Sequence, residues 1–392
     1  MSNPTRYGVN YLPSRDWWYA WVDWDEDVIA RDLDVIMGLG FDHVRLQCLW
    51  PLFQPNPAYV SPTMLTRLVR LLDLAGERGL SACPTVLDGW LSGFDFRPAW
   101  LRDASPFADP EAVEAAARLV TSVAKAVAEH PAVWCLDIAN EPNVLMRQAR
   151  LAPGSGDGWA ARMAAAARSG APGVPVTVGV DHEPWMTGDC ALTAETVVDI
   201  SDLVAIHAWP YFTGALARFG EGERGAWAIP DYLAQVALAV LDGRRKPLWV
   251  QEVGVSELWL DRVNVPDFAE RMLRRIAAIP EVTAVTWWAS HDIDRRLRGF
   301  DELEYGLGLI DTDNRVKPVG ERVRDVIAEL RTRPVPPART AALELPPGTV
   351  PDLEFAAKWF DRVHPDGGPR IVRRTADTPP DLGHRDHADV QG

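Results

Sequence analysis

The fold is decided by a short apolar run that ends abruptly in polar residues, Trp134-Cys135-Leu136-Asp137-Ile138-Ala139-Asn140-Glu141-Pro142-Asn143. Residues 133–139 have the length and near-continuous hydrophobicity of a strand buried on both faces. Because Pro142 has no N–H to donate to a ladder, the strand is predicted to end before it. Glu141 is therefore expected at the carboxyl end of a buried parallel strand, where α/β folds place their chemistry.

A second apolar run closes in the same way, at Leu248-Trp249-Val250-Gln251-Glu252-Val253-Gly254. Its length and hydrophobicity again predict a buried strand, with Glu252 close to its carboxyl end. Two glutamates at the ends of two buried strands indicate an enzyme that uses a pair of carboxyl groups. The rest of the chain has to supply a scaffold that brings them together.

The bulk composition excludes some classes of protein. The chain has 392 residues, of which 47% are hydrophobic and 24% charged, as in ordinary globular proteins. The net charge of −15 argues against a nucleic-acid partner, because binding phosphates needs a basic face. No apolar run reaches the length of a membrane span, so no membrane partner is expected. Residues 1–14 lack a basic segment followed by an apolar one, so we expect no signal peptide and a cytoplasmic location.

The chain contains four cysteines, Cys48, Cys83, Cys135 and Cys190. Three of them lie in predicted strands, where buried free cysteine is common. We therefore expect free thiols rather than disulfides.

Strand-like and helix-like segments alternate along the chain. Buried strands are predicted at residues 7–12, 43–49, 80–87, 133–140, 174–180, 203–207, 248–253 and 282–289, each followed by a helical pattern. These rounds of strand and helix over residues 1–331 predict one (β/α)8 TIM barrel of the α/β class. An open doubly wound sheet is the competing interpretation. It would show a Gly-rich phosphate turn after the first strand, where this chain has Gly8-Val9-Asn10-Tyr11.

The composition changes after residue 331. Prolines punctuate residues 332–392, and the chain from residue 378 onward is polar, with little that could pack. We expect a Pro-rich C-terminal extension, in which residues 353–363 form a helix docked on the barrel and the last part is loose.

In the predicted barrel, Glu141 and Glu252 converge, because the fourth and seventh strands face each other across part of the mouth. Cleavage of a glycosidic bond needs a proton for the leaving oxygen and a nucleophile or negative charge at the anomeric carbon. A retaining enzyme places its two carboxyl groups about 5–5.5 Å apart, and an inverting enzyme places them about 8–9 Å apart.

Two motifs carry a family resemblance. Asn140-Glu141-Pro142 and Gln251-Glu252-Val253-Gly254 resemble the retaining glycoside hydrolases of clan A, most closely family 5, the cellulase and mannanase group. The resemblance covers residues 7–330. It implies double displacement on a β-linked glucan, mannan or related oligosaccharide, with Glu141 as acid/base and Glu252 as nucleophile. It implies no cofactor and no metal, and the sequence leaves the oligomeric state open.

The same resemblance implies roles for residues around the pair. Asn140 would contact the 2-hydroxyl of the sugar, and Arg45 at the second strand would support the nucleophile. His207 matches the histidine of the sixth strand. Trp288, preferred over Trp287, matches the tryptophan that lies under the sugar.

Two positions depart from the family pattern. Trp209 stands where the family has a tyrosine bonded to the nucleophile. An indole N–H can still donate, and Tyr211 is a second candidate for that contact. The third strand ends in Asp88-Gly89-Trp90, where many relatives have a histidine. These differences leave the sugar and the linkage open.

Tryptophan is abundant, with 17 residues in the chain. Many of them follow predicted strands: Trp17, Trp18, Trp21, Trp24, Trp50, Trp90, Trp100, Trp185, Trp209 and Trp259. Flat aromatic faces stack on pyranose rings, so we expect roughly half of them to line a carbohydrate cleft and the others to pack loops onto the barrel.

Two alternatives stay open. A metal-dependent sugar-processing barrel would use as ligands Glu141, Asp181, His182, His207 and Glu252, although no His-x-His or His-x₃-His spacing supports it. A non-catalytic carbohydrate-binding barrel would account for the departures at Trp209 and Asp88.

Overall fold

Eight parallel strands form the centre of the molecule. The computed structural model of the chain describes residues 5–334, 336–364 and 367–373. In chain order the central strands are β1 (Arg6–Asn10), β2 (His43–Leu49), β3 (Ser81–Asp88), β4 (Leu136–Asn140), β5 (Val176–Gly179), β6 (Val204–His207), β7 (Leu248–Val253) and β8 (Val282–Trp287).

The strands close into a barrel. Parallel ladders join them in the order β5-β4-β3-β2-β1-β8-β7-β6. The seam between β5 and β6 is closed by the N–H of Asp202, which donates to Val176 O at 2.7 Å, and by the N–H of His207, which donates to Val180 O at 3.2 Å. The predicted (β/α)8 architecture is thereby confirmed.

After each strand, one helix packs on the outside of the barrel. These helices are α1 (Glu26–Gly38), α2 (Pro62–Gly76), α3 (Pro110–Val127), α4 (Asp157–Gly170), α5 (Ala194–Ile200), α6 (Ile229–Leu241), α7 (Val265–Ala277) and α8 (Pro318–Leu330). Side-chain oxygens of Asp25, Ser61 and Asp109 accept the free N–H groups at the starts of α1, α2 and α3. No helix in the described ranges is long and apolar enough to cross a membrane.

Shorter elements lie in the loops. The α-helical ones are Trp50–Phe53, Pro142–Gln148, Glu183–Met186, Ala215–Phe219 and Arg224–Trp227. The 3-10 turns are Trp17–Trp21, Ala99–Leu101, Arg262–Asn264 and Glu302–Gly306. A hairpin pairs Trp90–Leu91 with Phe94–Asp95.

The amino-terminal end of the barrel is sealed by aromatic rings. The Trp134 ring lies 4.8 Å from that of Trp249 and 5.1 Å from that of His43. Trp134 precedes β4, which begins three residues later than predicted, since Val133 makes only an isolated bridge to Ala82. With this end filled by side chains, the carboxyl end of the strands is left for a site.

The four cysteines are free. Cys48, Cys83 and Cys135 are buried, whereas Cys190 is half-buried in a loop. The expectation of free thiols agrees with this arrangement.

The C-terminal extension adds a small layer beside α6. It contains β9 (Ala342–Leu345), α9 (Leu353–Phe360) and β10 (Arg370–Arg373), and β9 pairs with β10 in parallel. The predicted helix at residues 353–363 corresponds to α9, but the two strands were not predicted. The polar end of the chain from residue 378 lies outside the described residues.

The extension is held on α6 by buried contacts. The Tyr232 hydroxyl donates to Pro351 O at 2.8 Å, and its ring lies 5.7 Å from the ring of Trp359. The Trp359 indole N–H donates to Pro369 O at 2.8 Å. Trp359 is fully buried, so the extension shares a core with the barrel.

Trp359→Ala tests whether the extension contributes to stability. We expect it to lower the free energy of unfolding by about 3–5 kcal/mol, because truncating a buried aromatic leaves a cavity. Urea unfolding followed by circular dichroism measures this change. The control is Val350→Ala in the same extension, where the side chain is exposed and the change should stay within about 0.5 kcal/mol. Equal unfolding midpoints for Trp359→Ala and wild type would contradict the shared core.

Candidate active site

Two glutamates meet at the carboxyl end of the barrel. Glu141 follows β4 directly, and Glu252 is the last but one residue of β7. Three atoms lie within 4.8 Å of one another: one carboxylate oxygen of Glu141, one of Glu252 and a ring nitrogen of His207. The barrel thus brings together the two carboxyl groups that stand far apart in sequence.

Arg45 organises the floor beneath the two glutamates. Its guanidinium, fully buried, donates to Asp137 Oδ2 from Nε at 3.1 Å and from Nη2 at 2.8 Å. Nη1 donates to Glu252 Oε1 at 2.7 Å and to Asn10 Oδ1 at 3.0 Å. Nη2 also donates to Asn140 Oδ1 at 2.7 Å. Each N–H of this fork has an acceptor, which fixes the carboxylate of Glu252 in place.

The backbone at Glu141 is strained. Its φ of 42° and ψ of 49° lie in the left-handed region, which a residue with a side chain seldom occupies. The Glu141 N–H donates to Gly179 O at 2.8 Å, and the helix beginning at Pro142 follows at once. This turn takes the chain sharply out of β4 and aims the carboxyl group into the mouth of the barrel.

The carboxyl group of Glu141 favours its protonated form. Burial, reinforced by the nearby Asp181 carboxylate, raises the pKa of Glu141 to about 8. Arg45 and Arg147 oppose that rise without cancelling it. At neutral pH the group therefore carries a proton.

His207 faces Glu141 with an unprotonated nitrogen. Its Nε2 lies 2.8 Å from Gln251 Oε1, and the Gln251 amide is oriented by donating from Nε2 to Asp137 Oδ2 at 3.2 Å. Burial lowers the pKa of His207, so the ring is neutral and its single proton sits on Nε2. Nδ1, at 2.7 Å from Glu141 Oε1, is then the acceptor of the Glu141 proton.

Glu252 receives two donors that Glu141 lacks. Arg45 donates to Oε1, and the Trp209 indole N–H donates to Oε2 at 3.2 Å. Burial, and after it the nearby Glu141, raise the pKa of Glu252, and Arg45 and Trp209 act against that rise. Trp209 thus makes the contact that the family assigns to tyrosine.

A pocket of about 460 Å³ opens above the two glutamates. Its walls come from the loops that follow β3, β4, β5, β6 and β8, and they include Trp90, Ser92, Asn140, Arg147, Asp181, Trp209, Phe212, Trp288, Asp301 and Glu304. It combines flat aromatic faces with many polar and charged side chains, a lining suited to a polar small molecule.

The predicted binding residues fall into three groups. Four of them line the pocket: Trp90, Asn140, Trp209 and Trp288. Arg45 and His207 are fully buried beneath it and contact the glutamates instead of the pocket space. Tyr211 lies outside: its side chain is exposed and stacks on Trp259 at 4.7 Å, with no described contact to Glu252.

The structure shows how Asn140 is held and which of the neighbouring Trp287 and Trp288 faces the pocket. The Asn140 amide donates to Trp90 O at 2.7 Å, and Asn140 lines the pocket. Trp287, the last residue of β8, is fully buried, whereas Trp288 lines the pocket. The preference for Trp288 agrees with this orientation.

Most tryptophans of the loops pack the scaffold. Trp17, Trp18, Trp21, Trp50 and Trp185 are buried away from the pocket, and Trp24 stacks on Trp21 at 5.9 Å. Among the described residues only Trp90, Trp209 and Trp288 line it. The expectation that half of the loop tryptophans face sugar was too high, because most of these rings fill the space between neighbouring loops.

Several pocket residues were not predicted from the sequence. Ser92 lies in the hairpin turn after β3, and Glu304 lies in the long loop after β8. Arg147 pairs with Glu183 and lies 3.5 Å from Asp181 Oδ2. Asp181 is the one pocket residue of this group that the sequence indicates, because it directly follows a predicted strand. The others lie in irregular loops, where no periodicity indicates their direction.

The five ligands that a metal-dependent barrel would use do not all come together in the structure. Within the described ranges, Glu141, His207 and Glu252 cluster tightly enough to hold an ion, but Asp181 and His182 are not part of that group. The His207 nitrogen toward the cluster is already bonded to Glu141, and Glu252 already carries Arg45. These hydrogen bonds account for the cluster.

Comparison with known proteins gives structural relatives. No family model matches the sequence, and none of the curated proteins does. A GH5_18 protein from Streptomyces cattleya, solved in complex with GlcNAc, is 34% identical with a TM-score of 0.89, over 95% of this chain and 94% of that one. A GH5_18 protein from Bifidobacterium longum subsp. longum is 29% identical with a TM-score of 0.88, over 95% and 92%. The exo-β-1,4-mannosidase Op5Man5 of Opitutaceae bacterium strain TAV5 is 26% identical with a TM-score of 0.77, over 94% and 69%.

The barrel and its pocket of paired carboxyl groups, together with these relatives, define a glycoside hydrolase that acts on β-linked glycans. At 34% identity over 94% of both chains, the relationship is close enough to name the group. The chain belongs to glycoside hydrolase family 5, subfamily 18, as the resemblance to clan A and family 5 predicted.

Gly179→Ala tests the packing of the polar floor. A Cβ at Gly179 would overlap Gln251 Oε1 and come within 2.9 Å of His207 Nε2 and 3.0 Å of Arg45 Nη2. We expect a loss of about 1–3 kcal/mol of stability from overpacking, and a fall in glycoside hydrolysis as the floor shifts. Gly158→Ala, where a Cβ meets only open space, is the control and should keep both properties. Thermal unfolding and hydrolysis rates measure them. Full activity in Gly179→Ala would show that the floor tolerates displacement.

Proposed function

We propose that this protein is a retaining, exo-acting β-glycosidase that removes β-linked mannose from N-acetylglucosamine, with Glu252 as nucleophile and Glu141 as acid/base. The observation that carries the mechanism is the approach of carboxylate oxygens of Glu141 and Glu252 to within 4.8 Å. That approach is compatible with the spacing of about 5–5.5 Å in retaining enzymes and falls short of the roughly 6.5–9.5 Å of inverting enzymes.

In the first step, Glu252 attacks the anomeric carbon and forms a glycosyl ester. Arg45 and Trp209 hold its carboxylate in one orientation while the bond forms. Glu141, protonated at neutral pH, transfers its proton to the leaving oxygen, so that the second sugar departs as an alcohol.

In the second step, Glu141 works as a base. The unprotonated Nδ1 of His207 now faces an ionised carboxylate, which increases the proton affinity of Glu141. Glu141 takes a proton from water, the water oxygen attacks the anomeric carbon, and Glu252 leaves as a carboxylate. The anomeric configuration is inverted twice and is therefore retained.

The shape of the pocket supports a short substrate. The hairpin after β3 and the loop after β8 approach each other at Phe94 and Phe300, whose rings lie 5.0 Å apart. They close one side of the pocket, which suits removal of a terminal sugar. Relatives from Streptomyces cattleya and Bifidobacterium longum subsp. longum were solved with Manβ1-4GlcNAc, and Op5Man5 is an exo-β-1,4-mannosidase. We infer the same linkage for this chain.

Replacement of each glutamate tests the assignment. Glu141→Ala should lower the rate of Manβ1-4GlcNAc hydrolysis by about 10²–10⁴-fold, and Glu252→Ala should lower it at least as far. With an activated aryl β-mannoside and azide, Glu141→Ala should yield the β-mannosyl azide and Glu252→Ala the α-mannosyl azide. Product configuration is read by NMR. These opposite configurations follow because azide replaces water in the first variant and the nucleophile in the second.

Controls separate the alternatives. Wild type should be as fast in EDTA as without it, and loss of activity there would favour the metal-dependent reading. A wild type that binds Manβ1-4GlcNAc, seen by tryptophan fluorescence, but releases no mannose would establish the non-catalytic barrel. Inverted product from wild type would overturn the role of Glu252.

The pH profile of kcat/KM tests the protonation states. Activity should fall as pH rises through about 8, because Glu141 loses the proton it must donate. It should fall again as pH drops through the raised pKa of Glu252, because the nucleophile then becomes protonated. In Glu141→Gln, measured on an activated aryl mannoside that needs no acid, the alkaline fall should disappear. An unchanged alkaline fall in that variant would assign it to another group.

A further inference from the structure

A third carboxyl group lines the pocket and has no part in the proposed mechanism. Glu304 lies in the 3-10 turn Glu302–Gly306, within the loop between β8 and α8. Only 9% of the residue is exposed, and what remains exposed faces the same pocket as Glu141 and Glu252. A carboxyl group is seldom buried this deeply without a partner.

The Glu304 side chain forms no hydrogen bond of ordinary geometry within the described residues. The Ser92 hydroxyl, on the hairpin turn across the pocket, approaches the Glu304 carboxyl group and favours its ionised form, but it makes no hydrogen bond of ordinary geometry with Glu304 or with any other described residue. Buried polar groups nearly always have partners in native proteins. Two polar groups that face each other across a binding pocket without a well-formed bond between them are free to bond a ligand placed there.

Glu304 is held in place by aromatic packing. The Phe300 ring lies 5.2 Å from that of Trp17 and 5.0 Å from that of Phe94, which ties the loop to its neighbours. The Tyr305 hydroxyl donates to Leu297 O at 2.6 Å. The loop that carries the carboxyl group is therefore already ordered before a ligand binds. Such preorganisation lowers the entropic cost of binding and is expected of a residue that determines specificity.

Electrostatics make Glu304 a donor as well as an acceptor. Burial raises the pKa of Glu304 to about 8; the contact with Ser92 opposes this rise, and the nearby Glu252, Asp301 and Glu141 add to it. At neutral pH the group is a carboxylic acid, which can donate one hydrogen bond and accept another. A sugar hydroxyl offers the complementary pair.

We propose that Glu304, with Ser92, binds a hydroxyl group of the terminal sugar, so that a sugar without this hydroxyl binds weakly. The inference rests on the proposed function, because it takes the ring attacked by Glu252 to be a mannoside. A pocket that hydrogen-bonds a hydroxyl strongly rejects the analogue that lacks it, since its own buried polar groups are then unpaired. Glu304 is thus assigned as a determinant of sugar specificity.

The test measures affinity without turnover. In the Glu141→Ala background, calorimetry gives the Kd of Manβ1-4GlcNAc and of its four forms with one hydroxyl removed from the mannose ring. Adding Glu304→Ala should weaken binding of the parent disaccharide by about 10–100-fold. Adding Glu304→Gln should change it by less than about 3-fold, because an amide also donates and accepts.

The deoxy sugars identify the contact. With Glu304 present, one of them should bind about 10–100-fold more weakly than the parent, whereas with Glu304→Ala that same form should bind as well as the parent. Glu302→Ala, at an exposed position in the same turn where the side chain pairs with Arg295, is the matched control and should leave every affinity unchanged. A disturbed loop would weaken all five ligands alike and would not produce this coupling.

Three results would overturn the inference: equal affinity of the parent disaccharide with and without Glu304, equal losses for all deoxy forms in both proteins, or no binding of any of the five. Failure of the proposed function is a separate observation. It would appear as binding of the disaccharide by Glu141→Ala without release of mannose by wild type.

Discussion

The guanidinium of Arg45 is a full positive charge with no access to solvent, and the carboxyl ends of the strands are arranged around it. It reaches Asn10 on β1, Asp137 on β4 and Glu252 on β7, so one side chain joins three parts of the barrel wall. Breaking a buried ion pair on one side typically costs about 3–5 kcal/mol, because the remaining charges stay buried without a counter-ion. The same pairing that stabilises the floor also orients the carboxylate of Glu252, the proposed nucleophile.

Much of the barrel could be predicted because each strand is marked by a pattern within a short stretch of sequence. Buried parallel strands appear as continuous apolar runs, and the polar residues at their ends, such as Arg45, Glu141 and Glu252, mark the mouth. Once the eight strands are placed, topology alone brings Glu141 and Glu252 together. The early part of the predicted fourth strand failed because residues 133–135 close the bottom of the barrel instead of joining a ladder.

The remaining features depend on contacts between distant loops, which no periodicity records. Glu304 faces the pocket only because Phe300 packs against Trp17 and Phe94 from two other loops. The same kind of packing hides most tryptophans that sequence position alone assigned to the cleft. The pair β9 and β10 is a further case, since two strands of four residues gain their register only from each other and from α6.

Depth of burial does not distinguish the three carboxyl groups of the pocket, since burial raises the pKa of each. Their hydrogen-bond partners do. Glu252 accepts from Arg45 and Trp209, which favours the ionised form that a nucleophile needs. Glu141 meets the lone pair of His207, which favours the protonated form that an acid needs. Glu304 has neither kind of contact among the described residues, apart from its approach to Ser92. The donors and acceptors beside each carboxyl group are thus the basis for the three different roles that we propose.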